Sequence, residues 1–292
     1  APIGVSNLAN LIALEMVGLD LNAYTSMMLA PSMLGIACIA ALLYRRFRQD
    51  IPTRISAIVN ITAVQNRFSE WKLNKYPHPL VPKSEGQAPI DWNMFRVCIA
   101  VVVLTRIGIF VLAPFGVPTE WPSVAGAVAL ILIRWRKKKG SPADILRKSP
   151  WHILLFAFGM YVIVYGLHHA GLTAIIARSF GDAVQLNLFH AVFIMGMLSA
   201  VLSSLFNNPF SIMIGAVSIT EMGLDRQTMQ VAYLANVIGA DFGSLLLPMG
   251  TLATLLWLHT LRQYNIPMDW AKYVKLTVLV IPAGLIVSLL GL

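Results

Sequence analysis

Asp241 lies within an apolar run, "GADFGSLLLPMGTLATLLWL", residues 239–258. An acid at membrane depth is costly and reads by default as functional. Low polarity disfavours its charged form, so it can take up a proton and hand it on. Thr251 and Thr254 follow in the same run. Asn207 and Asn208 interrupt a second one, "LFHAVFIMGMLSAVLSSLFNNPFSIMIGAVSI". Asn7 and Asn10 stand about one helical turn apart in "SNLANLIAL". These amides and hydroxyls are neutral groups that donate or accept hydrogen bonds. With one acid among them they suit binding and proton exchange rather than covalent catalysis. Each also has a plainer reading. Asn-Asn-Pro makes a turn, Asp241 or the first-copy Asn residues cap a helix, and Thr hydroxyls bond back to their own helix.

Gly239, Gly243, Pro248 and Gly250 explain how polar residues enter such a run. They read as residues that break a spanning helix near 240–250. Broken ends expose N–H and C=O groups, tolerated at membrane depth only inside protein or beside a wet cavity. Transporters use such ends as substrate and ion sites.

The surrounding elements are those of a membrane protein. The chain has 292 residues, 57% hydrophobic and 12% charged, with a mean hydropathy of +0.71. A soluble domain carries about 25% charged residues. The apolar runs are long and continuous, which favours helices over a barrel. The fold class expected is an all-α polytopic membrane protein. The net charge of +9 sits largely beside apolar segments, the positive-inside pattern, and there is no nucleic-acid signature. Cys38 and Cys98 are far apart and read as ordinary buried residues. No metal motif or cofactor motif is present.

Spans are expected at 24–44, 95–113, 122–135, 151–167 and 273–292. The basic clusters after residue 44 and at "RWRKKKG" are placed in the cytoplasm, together with a polar loop at 49–94. Residues 172–180 are short and amphipathic, fit for the interface. The run at 186–220 is expected to be a re-entrant hairpin, because the part after Pro209 is too short to cross. A broken helix is expected at 228–259. Arg106 falls mid-span, where it pairs or snorkels. His168 and His169 close a helix near the interface, His190 is a weak candidate for proton relay, and Glu221 and Asp225 lie at the outer mouth.

An internal repeat organises these elements. "SNLANLIAL" at 6–14 aligns with "GTLATLLWL" at 250–258, matching Leu8, Ala9, Leu11 and Leu14 with Leu252, Ala253, Leu255 and Leu258. Asn7 and Asn10 fall on Thr251 and Thr254. Each copy is followed by a turn and a helix with a central proline, Pro31 or Pro282. The loop after the first copy is acidic and expected outside. The loop after the second carries Arg262 and Lys272 and is expected inside. The copies are therefore inverted, as in secondary transporters with a midplane site. Residues 1–48 would end the first repeat and 95–292 form the second. The early part of the first repeat is expected to precede Ala1.

"NVIGADFGSLLLPMGTLATLLWLHTL", "LSSLFNNPFSIMIGAVSI", "LLFAFGMYVIVYGLHHAGL" and "GVSNLANLIAL" resemble the ArsB arsenite/antimonite efflux family, within a superfamily that includes sodium/proton antiporters and dicarboxylate carriers. The resemblance covers nearly the whole chain and is weakest at 49–94. The family often has Cys where Ala240 stands, and Asn-Asn-Met-Pro where Pro209 follows Asn208 directly.

The resemblance implies export of trivalent arsenic and antimony hydroxides across a bacterial or archaeal cytoplasmic membrane, in exchange for protons. It implies no cofactor, and a separate ArsA-type ATPase on the cytoplasmic face in some systems; this chain has no phosphate-binding loop motif of its own. Arsenite at neutral pH is mainly an uncharged trihydroxide. Asn7, Asn10, Asn207, Asn208, Thr251 and Thr254 fit its O–H groups, and Asp241 fits the proton. A sodium/proton antiporter is the alternative, with Asp241 and helix-break carbonyls as oxygen ligands. A dicarboxylate carrier is disfavoured because the hairpin and break motifs hold no Lys or Arg. A non-transporting scaffold is disfavoured by the cost of two broken helices.

Overall fold

The computed structural model describes residues 2–4, 8–49, 92–136, 151–263 and 269–292. Asn7 and nearly all of the 49–94 loop lie outside the described residues.

Eleven α-helices make up the described fold, and no strand occurs among these residues. They are α1 (Leu8–Met16), α2 (Leu21–Phe47), α3 (Trp92–Leu112), α4 (Glu120–Arg136), α5 (Trp151–His169) and α6 (Leu172–Gln185). The order continues with α7 (Leu188–Leu205), α8 (Asn208–Glu221), α9 (Arg226–Gly243), α10 (Leu252–Gln263) and α11 (Trp270–Leu290). Four stretches among the described residues are long and apolar enough to cross a membrane: Leu21–Phe47, Trp92–Phe115, Leu188–Leu205 and Trp270–Leu290. The expected class of all-helical, multi-pass membrane protein holds. The expected spans at 24–44 and 95–113 lie inside the first two of these stretches and 273–292 overlaps the last; 122–135 and 151–167 are helical, in α4 and α5, but are not among the four, while α7, expected within the hairpin, is. Asp20 accepts the Asn22 N–H and starts α2, and Asp225 accepts the Thr228 N–H and starts α9.

The core is α7, α8 and α9 with α1 laid against α8. Along the α7–α9 seam, Gly196 lies against Gly239 and Ala200 against Gly243, so these two helices run parallel. A Cβ on Gly239 would sit 2.0 Å from the Gly196 carbonyl oxygen, and one on Gly243 2.2 Å from that of Ala200. Small residues four apart let membrane helices approach this closely. Gly239 therefore does not break a helix, as the sequence reading expected. It lies inside α9, which continues to Gly243, and its work is packing. Buried serines hold the same layer: Ser203 donates to the Ala240 carbonyl at 2.7 Å, and Ser211 to the Ser199 carbonyl at 2.8 Å.

Two further pairs surround the core. α2 and α11 run antiparallel, with Gly35 against Gly284 and Ser288 donating to the Pro31 carbonyl at 2.9 Å. Each contains its proline, Pro31 or Pro282. α3 and α4 form a peripheral hairpin that is mostly exposed, Arg106 included. The amphipathic segment expected at 172–180 is the longer α6, which meets the last turns of α5 at 67°. Gly171, with φ 88°, makes that corner. His168 and His169 close α5, as expected. His168 Nδ1 lies 2.8 Å from Thr173 Oγ1 and 3.1 Å from Glu221 Oε1, tying the corner to the end of α8.

Candidate functional site

The turn between α7 and α8 is built by Asn207. Its carboxamide oxygen accepts the Phe210 N–H at 3.0 Å and so caps α8. Its backbone has φ 157° and ψ 169°, a region L side chains seldom occupy, which marks the turn as over-determined by its surroundings. Pro209 follows at the start of α8, where a missing N–H costs nothing.

Asn208 is the next residue. Its Nδ2 donates to Asp241 Oδ1 at 2.7 Å. This joins the turn to the last helical turn of α9, the contact expected if both motifs build one site. The other end of the same carboxamide, Asn208 Oδ1, is buried and has no protein partner among the described residues. A buried acceptor left over in this way calls for a donor.

Past Asp241, α9 ends at Gly243 and α10 begins at Leu252. The interruption spans Ser244 to Thr251, with one short turn at Pro248–Gly250. It starts four residues later than expected. Pro248 supplies the first residue of that turn. Gly250 lets the chain fold back on itself, since a Cβ there would lie 2.2 Å from the Ser244 carbonyl oxygen. The freed carbonyls are largely claimed. Asp241 O accepts from Ser244 Oγ at 2.9 Å, Leu245 O from the Tyr273 hydroxyl at 2.8 Å, and Leu246 O from Thr277 Oγ1 at 2.8 Å. Thr251 Oγ1 accepts the Thr254 N–H at 3.0 Å, and the two hydroxyls bond each other at 2.8 Å. They cap α10, the local role weighed against ligand contact.

Asn10 lies on α1 and is fully buried. Its Nδ2 donates to the Gly4 carbonyl at 3.3 Å, and its Oδ1 accepts from the Tyr233 hydroxyl. Tyr24 also hydrogen-bonds this side chain. The sequence leaves Asn10 either facing a ligand or capping its helix. Instead its carboxamide is committed at both ends and holds α1, α2 and α9 together.

Sequence reading missed Tyr24, Tyr233, Tyr273 and Thr277, all ordinary in type for a membrane helix. It also missed Asn236, fully buried on α9, whose Nδ2 donates to the Ile212 carbonyl at 3.1 Å. Spacing carried a signal here: Tyr233 and Asn236 are three apart on the helix that leads to Asp241. Cys38 and Cys98 are half-buried on α2 and α3. No cluster of three or more His, Cys, Asp or Glu able to hold a metal occurs among the described residues.

A carboxylate tied to a turn between two helices, beside an interrupted helix, fits the transporter reading. The sequence profile of the family described as "Arsenical pump membrane protein" matches residues 1–292. The chain belongs to the ArsB family of arsenical pump membrane proteins. It is similar to a "Putative arsenical pump membrane protein" of Bacillus subtilis (strain 168), 41% identical over 99% of this chain and 64% of the relative. It is also similar to an "Arsenical pump membrane protein" of Escherichia coli, 34% identical over 100% of this chain and 63% of that one. The chain thus spans a little under two thirds of the length of these curated relatives. A weaker likeness, 25% over 65% of the chain, connects it to an uncharacterized transporter of Mycobacterium tuberculosis. No solved structure matches it. ArsB membership makes the chain part of a membrane pump family rather than a family of covalent catalysts.

Proposed function

We propose that the protein is a secondary exporter of trivalent arsenic and antimony hydroxides, driven by protons entering the cell and conferring metalloid resistance. The observation that carries this reading is the Asn208–Asp241 hydrogen bond of 2.7 Å, formed at two interruptions of apolar helices in an ArsB-family chain. Asp241 carries the proton. Asn208 offers the substrate a buried acceptor, and the other polar side chains of the proposed site are neutral amides and hydroxyls, which suit an uncharged trihydroxide. Asn207, Thr251 and Thr254 contribute through the hydrogens and lone pairs that their capping bonds leave over. Asn10 supports the site from behind.

The architecture proposed is an inverted repeat. α8 has 14 residues, about 21 Å of helix, too short to cross a hydrocarbon core of about 30 Å. With α7 it forms a hairpin that enters and returns on one side. The antiparallel α2–α11 pair, each helix carrying its proline, is what an in-plane two-fold would place together. Partners at the cytoplasmic face include, in this reading, an ArsA-type ATPase. The membrane is the bacterial or archaeal cytoplasmic membrane, in keeping with bacterial relatives.

The test uses inside-out vesicles holding the full-length protein, with an acidic interior. Arsenite, antimonite or sodium is added while the pH gradient is followed, for wild type and Asp241→Asn. Loss of the gradient on adding arsenite or antimonite, absent in the variant, is the expected result. Loss on adding sodium alone would make the chain a sodium/proton antiporter, the second reading, which Asp241 and nearby carbonyl oxygens keep in play.

A further inference from the structure

We propose that Asn208 couples the two exchanged species: its carboxamide turns over when Asp241 changes protonation state, so its oxygen accepts a substrate hydroxyl only while Asp241 is charged. This inference rests on the exchange reading above.

Two features of one side chain lead to it. Asn208 Nδ2 donates to Asp241 at 2.7 Å, while Oδ1 is buried without a protein partner among the described residues. Asn236 Oδ1 is likewise without one, but it is sealed. A Cβ on Gly215 would lie 2.0 Å from it, so the neighbouring helix backbone fills the space. The Asn208 acceptor sits at a turn, on the side chain that also donates to Asp241.

A charged carboxylate only accepts hydrogen bonds, so it fixes the amide with its NH2 inward. A protonated carboxyl donates as well, and the amide oxygen is the group it pairs with best. A half-turn about the terminal side-chain torsion exchanges nitrogen and oxygen with little change in shape. The NH2 then faces outward, where Oδ1 had been. A metalloid hydroxyl is weakly acidic and donates better than it accepts. It finds its acceptor in the first state and loses it in the second. One such contact unmade weakens binding by about tenfold. Linkage is reciprocal, so substrate binding expels the Asp241 proton to the same extent. Proton and substrate thereby exclude each other.

The other groups that face Asp241 do not supply this switch. The phenols of Tyr24 on α2 and Tyr233 on α9 are both held on Asn10. α7 presents Ser203, which donates to the Ala240 carbonyl.

The experiment titrates arsenite into the purified full-length protein in detergent, following tryptophan fluorescence from acidic to mildly alkaline pH, so that the whole range over which a carboxylate titrates is covered. A pH indicator dye in weak buffer reports protons released. Wild type should bind arsenite about tenfold more tightly at the alkaline end and release protons on binding. Asn208→Ala and Asn208→Ser, the second keeping a polar side chain, should bind weakly with a flat pH profile. A wild-type profile that is flat, or a variant profile as steep as wild type, overturns the switch and leaves metalloid transport standing. No arsenite binding by wild type at any pH overturns the transport reading itself. Both variants are checked by thermal unfolding. If neither folds, proton release by wild type decides: its absence during arsenite binding overturns the proposal, and its presence upholds it.

Discussion

Asn10 and Asn208 are the same residue type in similar apolar settings, and they do different work. Asn10 accepts from one buried phenol at 223 residues' separation, hydrogen-bonds a second and donates to Gly4. Replacing it with leucine strands these groups in a dry core. Asn10→Leu should cost about 2–3 kcal/mol, and Tyr233→Phe about 1 kcal/mol, read as a lowered unfolding midpoint in detergent. Arsenite affinity of the folded fraction should stay near wild type for Tyr233→Phe. A stable Asn10→Leu protein that no longer bound arsenite would return Asn10 to the ligand shell. Local sequence made Asp241, Asn207 and Asn208 visible because polar groups in apolar runs are costly whatever surrounds them. It could not separate the two asparagines, since the partners that commit Asn10 come from α2 and α9. Long-range pairing of that kind has no local trace.

At the scale of elements, one helix end shows the same divide. An interruption after Asp241 was legible from Pro248 and the glycines, but not its start. Glycine serves both to end helices and to let them touch. Which use applies at Gly239 depends on whether Gly196 lies opposite, and that is set by how α8 returns from its turn and brings α9 against α7. Gly239→Leu tests the packing role. The Gly196 carbonyl oxygen would lie 2.0 Å from the first atom added, and backbone cannot step aside as a side chain can. A loss of about 3 kcal/mol or more is expected, seen as a collapse in the yield of monodisperse protein on size exclusion. Were Gly239 instead a hinge in an open break, leucine would leave yield intact and slow transport alone.

For the whole molecule, the proposed inverted repeat makes a claim about sidedness that packing by itself does not. Where α2 passes α11, Pro31 lies beside Ser288 and Gly35 beside Gly284. One helix therefore enters the membrane from the face the other leaves by. The last turn of α2 carries Arg45 and Arg46 and that of α4 Arg134 and Arg136, and the proposal puts both ends in the cytoplasm on the positive-inside rule. On the proposed reading Asp20, before α2, faces outward, and Asp269, before α11, faces inward. Single cysteines at these sites, Asp20→Cys and Asp269→Cys, are placed in full-length protein with Cys38 and Cys98 replaced by alanine. A membrane-impermeant thiol reagent added to intact cells should label the first and spare the second. Inside-out vesicles should reverse the pattern. Labelling of both from one side would mean that the two copies point the same way. The Leu8–Leu14 and Leu252–Leu258 match would then be a repeat without inversion, and the alternating-access reading would lose its geometric basis, since an in-plane two-fold is what exchanges inward and outward faces.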